Sequence, residues 1–140
     1  MITVEFTHNA EFIAEVYSEA EVWMGNHCSR PPTVEDVRSQ LENPNLVAVD
    51  ADHRAVLVAV KGTPACDDEN DAEVHMAFPK SMRGKDALEA SMKAAQLVFE
   101  SGFAKRLIGV PPTRLNRWFA LRCGLRRIGQ SERFELCRGT

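Results

Sequence analysis

The stretch that decides the fold is residues 73–87, which read EVHMAFPKSMRGKDA. Its first six residues are mostly apolar and short enough for a partly buried β-strand. A basic turn containing Gly84 follows, and from Ala87 to Phe99 apolar residues recur every three to four positions, as on one helical face. The stretch therefore predicts a strand, a tight basic loop and a long helix that ends near Gly102.

The residues before this stretch predict three more strands and two helices. Strands are indicated by alternating or β-branched apolar runs. Helices are indicated by apolar residues at helical spacing after Asn9 and by a Thr-x-x-Asp cap at Thr33. The predicted ranges are strands at 2–6, 46–49 and 55–60, and helices at 12–24 and from Thr33 to Leu41. The polar and acidic residues 62–71 read as a loop.

The residues after the long helix predict a strand, a helix and two short strands. Residues 106–110 form an apolar run that two prolines end, and Thr113 can cap the helix that follows. That helix is expected to turn Leu115, Trp118, Phe119 and Cys123 toward the core. The order is thus β-α-α-β-β-β-α-β-α-β-β, an α/β fold with a mixed sheet and helices on both faces.

Length and composition are those of one globular domain covering residues 1–140. Of its residues 44% are hydrophobic and 26% are charged, as in an average folded domain. The longest apolar run, residues 55–60, is far too short to cross a bilayer. The first residues do not resemble an export signal, so we expect a cytoplasmic protein that begins at Met1 and has free thiols.

Charge divides the chain sharply. Residues 1–100 hold 8 basic and 18 acidic residues, whereas residues 101–140 hold 9 basic and 2 acidic ones, which together give the net charge of −3. This pattern predicts an acidic surface beside a basic one, suited to an anionic ligand or a charged partner, unless it is simply solvated. Nucleic-acid binding is less favoured, because the whole chain is acidic and the spacing of Trp118 and Phe119 suits a core.

No metal site is predicted. His27 and Cys28 are adjacent, but no second His/Cys pair has ligand spacing, so thiols filling partly buried gaps are the favoured interpretation. The acidic loop lacks the alternating ligands and the distal Glu of a calcium loop. We interpret it as a solvated turn.

The basic turn has a physical use that the residues alone suggest. A helix that starts after a tight loop presents unpaired backbone N–H groups to one point, which attracts a pyrophosphate. Gly84 allows a close backbone approach, and Arg83 and Lys85 add positive charge. In the strand before the turn, Glu73 and His75 lie two residues apart and therefore on one face.

These features resemble the GNAT acyltransferase superfamily, whose members transfer an acetyl group from acetyl-CoA to an amine. Residues 74–87 are similar to the strand, Arg-Gly-x-Gly loop and helix that hold the cofactor, and residues 107–129 are similar to the strand, helix and strand that close the pocket. The resemblance implies that the strands at 74–78 and 107–110 splay apart to admit the pantetheine arm. It implies a donor site formed by Met76, Ala77, Phe78, Arg83, Gly84, Lys85, Asp86 and Ala87, with acetyl-CoA as co-substrate and a small-molecule or peptide amine as acceptor. Acetyl transfer to an amine also needs a base. Because histidine ordinarily titrates near neutral pH, His75 is the better candidate, with Glu73 as its orienter or relay; a structural histidine on the sheet face is the alternative.

The sequence departs from the family pattern at several positions. Asp86 stands where the family has its second glycine; it could either occupy the phosphate's place or turn outward as the helix begins. Thr113 stands where the family has an Asn, and Leu125 where it has its final Phe. Ala120 stands where many members have a Tyr that protonates the departing thiolate. These departures keep a second hypothesis open, a catalytically inactive binding or structural protein on the same scaffold. The chain is also similar to compact phage proteins of this type, some of which are virion-associated. Under this hypothesis the partners of the protein would be virion proteins or further copies of the chain.

Overall fold

The computed structural model describes residues 1–18 and 30–139, and in this part of the chain one seven-stranded mixed sheet is flanked by four helices. The strands are β1 (Val4–Phe6), β2 (Leu46–Ala51), β3 (Ala55–Val60), β4 (Asp71–Ala77), β5 (Arg106–Gly109), β6 (Arg126–Arg127) and β7 (Phe134–Cys137). The helices are α1 (Ala10–Tyr17), α2 (Val34–Leu41), α3 (Lys85–Glu100) and α4 (Arg114–Arg122). The element order predicted from the sequence is confirmed.

The strands lie in the order β1-β2-β3-β4-β5-β7-β6. β4 and β5 pair in parallel, and the other neighbouring strands in this order pair antiparallel. The parallel pair is joined through α3, as predicted for this crossover. This crossover positions the basic loop, because the chain leaves β4 and enters α3 through it.

The sheet buries apolar side chains on both faces. Alternate residues of β2 and β3, such as Ala48 and Val56, pack against Ile13 of α1 and Val37 of α2. The residues between them, such as Leu57, pack against α3 on the opposite face. Residues two apart on β4 therefore share a face, and Glu73 and His75 lie on the α1–α2 side with Ala77.

Side-chain caps fix where two helices start. Thr33 and Asp36 form the predicted capping box at α2, with each side chain accepting the other residue's backbone N–H. The Asn9 side chain accepts the backbone N–H of Phe12 at the start of α1. The predicted continuation of α1 to Met24, and the His27–Cys28 pair, lie outside the described residues. None of the described helices combines the length and hydrophobicity needed to cross a membrane.

Two sequence predictions are wrong in the last third of the chain and in the acidic loop. Of the four residues predicted to face the core, only Phe119 in α4 and Cys123 at its C-cap do so, whereas Leu115 and Trp118 are 74% and 54% exposed. The reason is that α4 packs against the start of α3 along the narrow face that carries Phe119. The loop at 62–71 is not simply solvated, because its Asp71 is buried and is the first residue of β4.

Candidate active site

The parallel strands β4 and β5 separate soon after they begin. Asp71 to Glu73 lie opposite Arg106 to Ile108, and no register pairs these two strands beyond that point in the described chain. β4 continues to Ala77 alongside β3, while β5 remains paired with β7 up to Gly109. The strand separation that the resemblance implies is present.

Gly84 forms the turn from the loop into α3. Its φ of +63° and ψ of −128° lie in a region that side-chain-bearing residues rarely adopt. A Cβ at this position would meet nothing within 4 Å, so the glycine is required by backbone conformation rather than by space. No side chain caps the helix, and the first-turn N–H groups of this 16-residue helix are left for another acceptor.

Buried and hydrogen-bonded contacts hold the loop between β4 and α3 in place. The Met82 side chain is fully buried, and its backbone N–H donates to the Pro79 carbonyl at 3.0 Å. Arg54, from the β2–β3 turn, donates to the Ser81 carbonyl at 2.9 Å. Arg54 was not among the residues predicted for this site, and its place in the predicted turn between β2 and β3 was the only available signal. The loop is thus a fixed element.

The charged residues of the predicted donor site surround this turn. Arg83 donates to the carbonyls of Pro79 and Met82, at 3.1 and 3.2 Å, and so folds partly back over the loop. Lys85 and Asp86 are exposed in the first turn of α3. The exposure of Asp86 agrees with the outward orientation rather than with a carboxylate that caps the helix.

The apolar residues of the predicted donor site support the loop from below. Ala87 is buried in a cluster with Met82 at the start of α3. Phe78 packs against the same cluster and meets the ring of Phe119 edge-on, with ring centroids 5.5 Å apart. Met76 also contacts this cluster from the α3 face of β4. α4 is thereby docked beside the loop.

The structure brings the two predicted catalytic residues together. The Nε2 atom of His75 lies 3.0 Å from Oε2 of Glu73, and the two side chains are 30% and 18% exposed. Both stand on the α1–α2 face, and His75 follows the point at which β5 departs. A carboxylate at this distance fixes the ring orientation and favours the tautomer with its proton on Nε2.

An ion-pair network links the starts of β4 and β5, where the two strands pair. Arg106 donates Nε and Nη2 to the two oxygens of Asp71, at 2.9 and 2.7 Å, and Nη2 also to Asp67 at 2.7 Å. Glu135 of β7 lies 3.6 Å from Nη1, and Arg133 holds Asp67 from the other side at 3.0 Å. Hydrogen bonding to Arg106 lowers the pKa of Asp71 and of Asp67. The network ties the acidic loop to the sheet where the strands still pair.

One group of three potential metal ligands occurs among the described residues. Glu5, Asp50 and His53 have ligand atoms that all lie within 4.8 Å of one another. The buried Asp50 already accepts the backbone N–H and Nδ1 of His53, at 2.7 and 2.8 Å, and this hydrogen bond raises the pKa of His53. His53 and Asp52 both have positive φ in the β2–β3 turn. The three residues therefore lie close together because Asp50 stabilises the β2–β3 turn through its hydrogen bonds with His53.

Comparison with solved structures identifies the fold. The aminoglycoside acetyltransferase AAC(6')-Ib in complex with coenzyme A superposes with a TM-score of 0.78 over 99% of this chain and 95% of that chain, at 13% identity. An N-acetyltransferase from Staphylococcus aureus Mu50 gives 0.72 at 10% identity, covering 98% of both chains. A GNAT-family acetyltransferase from Bacillus anthracis gives 0.67 at 17% identity, covering 97% and 94%.

The chain therefore has the GNAT fold. No protein-family model and no curated protein matches the sequence. Because the sequence identities are only 10–17%, these superpositions establish the fold alone.

Proposed function

We propose that the protein is an N-acetyltransferase that moves an acetyl group from acetyl-CoA to a small-molecule amine. The observation that carries this proposal is the gap between β4 and β5, which opens beside the uncapped start of α3. A gap of this kind offers a slot for an extended chain, and the helix start offers N–H groups to a phosphate. The extended arm and the phosphates of one ligand could therefore bind at adjacent places.

The donor-binding part of the proposal uses the loop residues. The first-turn N–H groups of α3 would receive the pyrophosphate, with Arg83 and Lys85 supplying positive charge. The part of β4 beyond its pairing with β5, together with Phe78, would bind the pantetheine arm and direct an N–H group to the thioester oxygen as it gains charge. Neighbouring structures support this reading, since AAC(6')-Ib has been solved with coenzyme A and with acetyl-CoA.

The transfer step needs one proton acceptor. The amine nitrogen attacks the thioester carbonyl carbon, the carbon–sulfur bond breaks, and the amine loses one proton as the thiolate leaves. His75 would accept that proton, and Glu73, whose carboxylate lies 3.0 Å from Nε2, would orient the ring and stabilise its charged form. Acetyl-CoA supplies an activated acyl group with a good leaving group. Because a thiolate leaves readily, Ala120 in place of an acidic Tyr removes a contribution rather than the reaction.

The acceptor proposed is a small molecule with a free amine. Structures of AAC(6')-Ib with kanamycin and with ribostamycin are among the similar structures, which favours a small-molecule amine over a peptide. The carboxylate of Glu73 beside the gap suits a cationic group. The alternative of an inactive structural or virion protein receives no support from neighbours that are named as acetyltransferases.

Calorimetry with acetyl-CoA tests the donor site directly. We expect saturable binding in the micromolar range, and no comparable heat with acetyl pantetheine, which lacks the pyrophosphate. A thiol-release assay with a panel of amines, kanamycin included, then tests transfer. Absence of acetyl-CoA binding at millimolar concentration would contradict the proposal.

A His75→Gln variant tests the base. The proposal predicts an unchanged acetyl-CoA affinity and a rate reduced by about 100- to 10,000-fold, the usual contribution of general base catalysis. Glu73→Gln should reduce the rate less and shift its pH profile, because it acts through the histidine. A His75→Gln enzyme with the rate of the parent protein would remove His75 from the mechanism without affecting the donor assignment.

A further inference from the structure

We propose that Trp118, with Arg122 stacked on it, binds the nucleotide end of the donor, the adenosine 3′,5′-diphosphate part of coenzyme A. This inference rests on the proposed function, because it concerns the other end of the same ligand. It assigns a role to α4, a helix whose aromatic residue the sequence pattern had assigned to the core.

The surface of α4 is unusual for a helix of a folded domain. None of its nine residues is buried, and Leu115, Trp118 and Leu121 are 74%, 54% and 55% exposed. Large exposed apolar groups that lie together commonly mark a binding surface. The Cζ atom of Arg122 lies 5.1 Å from the centre of the Trp118 ring, so the indole is held in a cation–π pair.

The position of α4 connects this surface to the donor loop. Phe119, the residue after Trp118, contacts Phe78 at the start of the loop and packs with Met82 and Ala87 at the start of α3. Trp118 is about 100° further around the same helical turn. Its indole is 54% exposed on a helix that packs beside the loop between β4 and α3. We infer that a ligand whose pyrophosphate is held at the start of α3 has its base within reach of α4.

The chemistry of the surface matches a phosphorylated nucleotide. A purine base can stack on an exposed indole, and Arg122 lies over the Trp118 ring. The helix contains Arg114, Arg117 and Arg122 and no acidic residue, and residues 101–140 carry a net charge of +7. Guanidinium groups pair well with phosphate oxygens. The same surface would repel a basic partner.

Fluorescence of a single indole tests the contact without reference to activity. The chain has two tryptophans, so a Trp23→Phe variant leaves Trp118 as its only indole. We expect coenzyme A and adenosine 3′,5′-diphosphate to quench this fluorescence saturably, and pantetheine 4′-phosphate to leave it unchanged. Binding of coenzyme A by calorimetry with no change in fluorescence would overturn the inference and leave the donor site intact.

Affinity measurements provide the second test. Trp118→Ala should weaken coenzyme A binding by about five- to 100-fold, the range for loss of one stacked base, with the affinity for pantetheine 4′-phosphate unchanged. Arg122→Gln should reduce the preference for coenzyme A over 3′-dephospho-coenzyme A. Met92→Ala removes an apolar side chain of α3 that is equally exposed, at 55%, and should change neither affinity.

Three other outcomes have distinct meanings. If the unaltered protein binds no coenzyme A at all, the proposed function fails and this inference fails with it. If Trp118→Ala binds coenzyme A as the parent does, only the present inference is wrong. If Trp118→Ala instead changes the sedimentation coefficient from that of a dimer to that of a monomer, with affinity retained, the exposed face is an interface between copies and the nucleotide assignment is overturned.

Discussion

Replacing Asp71 by Asn tests the network that holds β4 and β5 together where they pair. The Asp71 side chain is 3% exposed and accepts two hydrogen bonds from Arg106, at 2.9 and 2.7 Å, and one from the backbone N–H of Asp67 at 2.8 Å. Asn preserves the shape but loses the charge and one acceptor. Breaking a buried ion pair from one side costs about 3–5 kcal/mol. Because Arg106 keeps Asp67 and Glu135, we expect about 2–3 kcal/mol.

Urea unfolding followed by circular dichroism at pH 7 measures this loss. The matched control is Asp67→Asn, which also removes a carboxylate bound to Arg106 but one whose side chain is 54% exposed. We expect the control to lose less than half as much stability, because solvent screens an exposed pair. Equal losses for the two variants, or a loss below about 1 kcal/mol for Asp71→Asn, would refute the reasoning.

The same carboxylate predicts a pH dependence. Hydrogen bonding to Arg106 lowers the pKa of Asp71 in the folded protein. Its contribution to stability is therefore complete above its unfolded pKa of about 4 and is lost as the pH falls through the lowered folded value. The free energy of unfolding of the parent protein should fall more steeply below about pH 4 than that of Asp71→Asn.

Three further predictions concern the donor turn and the thiols. Gly84→Ala should lower the free energy of unfolding by about 1–3 kcal/mol, because alanine does not tolerate its φ of +63° and ψ of −128°. The same variant should weaken acetyl-CoA binding about tenfold. The control Gly62→Ala, at a φ of +78° far from the loop between β4 and α3, should affect stability alone. Asp86→Asn should tighten acetyl-CoA binding severalfold at low ionic strength, and calorimetry in 0.5 M salt, roughly a 4 Å screening length, should abolish that gain. Burial raises the pKa of Cys123 to about 11, so its reaction with a disulfide reagent at pH 8 should be slower than that of Cys66 in the folded protein and equal to it in urea.

Local sequence was a reliable guide wherever short-range geometry decides the outcome. The capping box of Thr33 and Asp36, the hairpin between β2 and β3 and the start of α3 at Gly84 all follow from a few neighbouring residues. Glu73 and His75 were predicted to share a face because side chains alternate along a strand, and the structure has them 3.0 Å apart. The fold class followed from the order of such elements.

Local sequence was a poor guide wherever distant segments meet. Asp71 and Arg106 are 35 residues apart, and nothing in the loop at 62–71 indicated that an arginine from β5 would bury one of its acids. The spacing of Trp118 is that of a core residue, yet α4 packs through Phe119 and leaves the Trp118 ring 54% exposed. Helical periodicity reports which residues share a face, and it does not report how much of that face a neighbour covers.

The sequence by itself determined the elements, their order and the loop that begins α3, because backbone propensity, capping and side-chain alternation act over a few residues. Only the tertiary structure decided that β4 and β5 separate after Glu73, since strand pairing depends on hydrogen bonds between segments about 35 residues apart. It also decided that α4 rests beside the donor loop through the contact of Phe119 with Phe78. The gap and the exposed indole are consequences of packing, and the proposed chemistry depends on both.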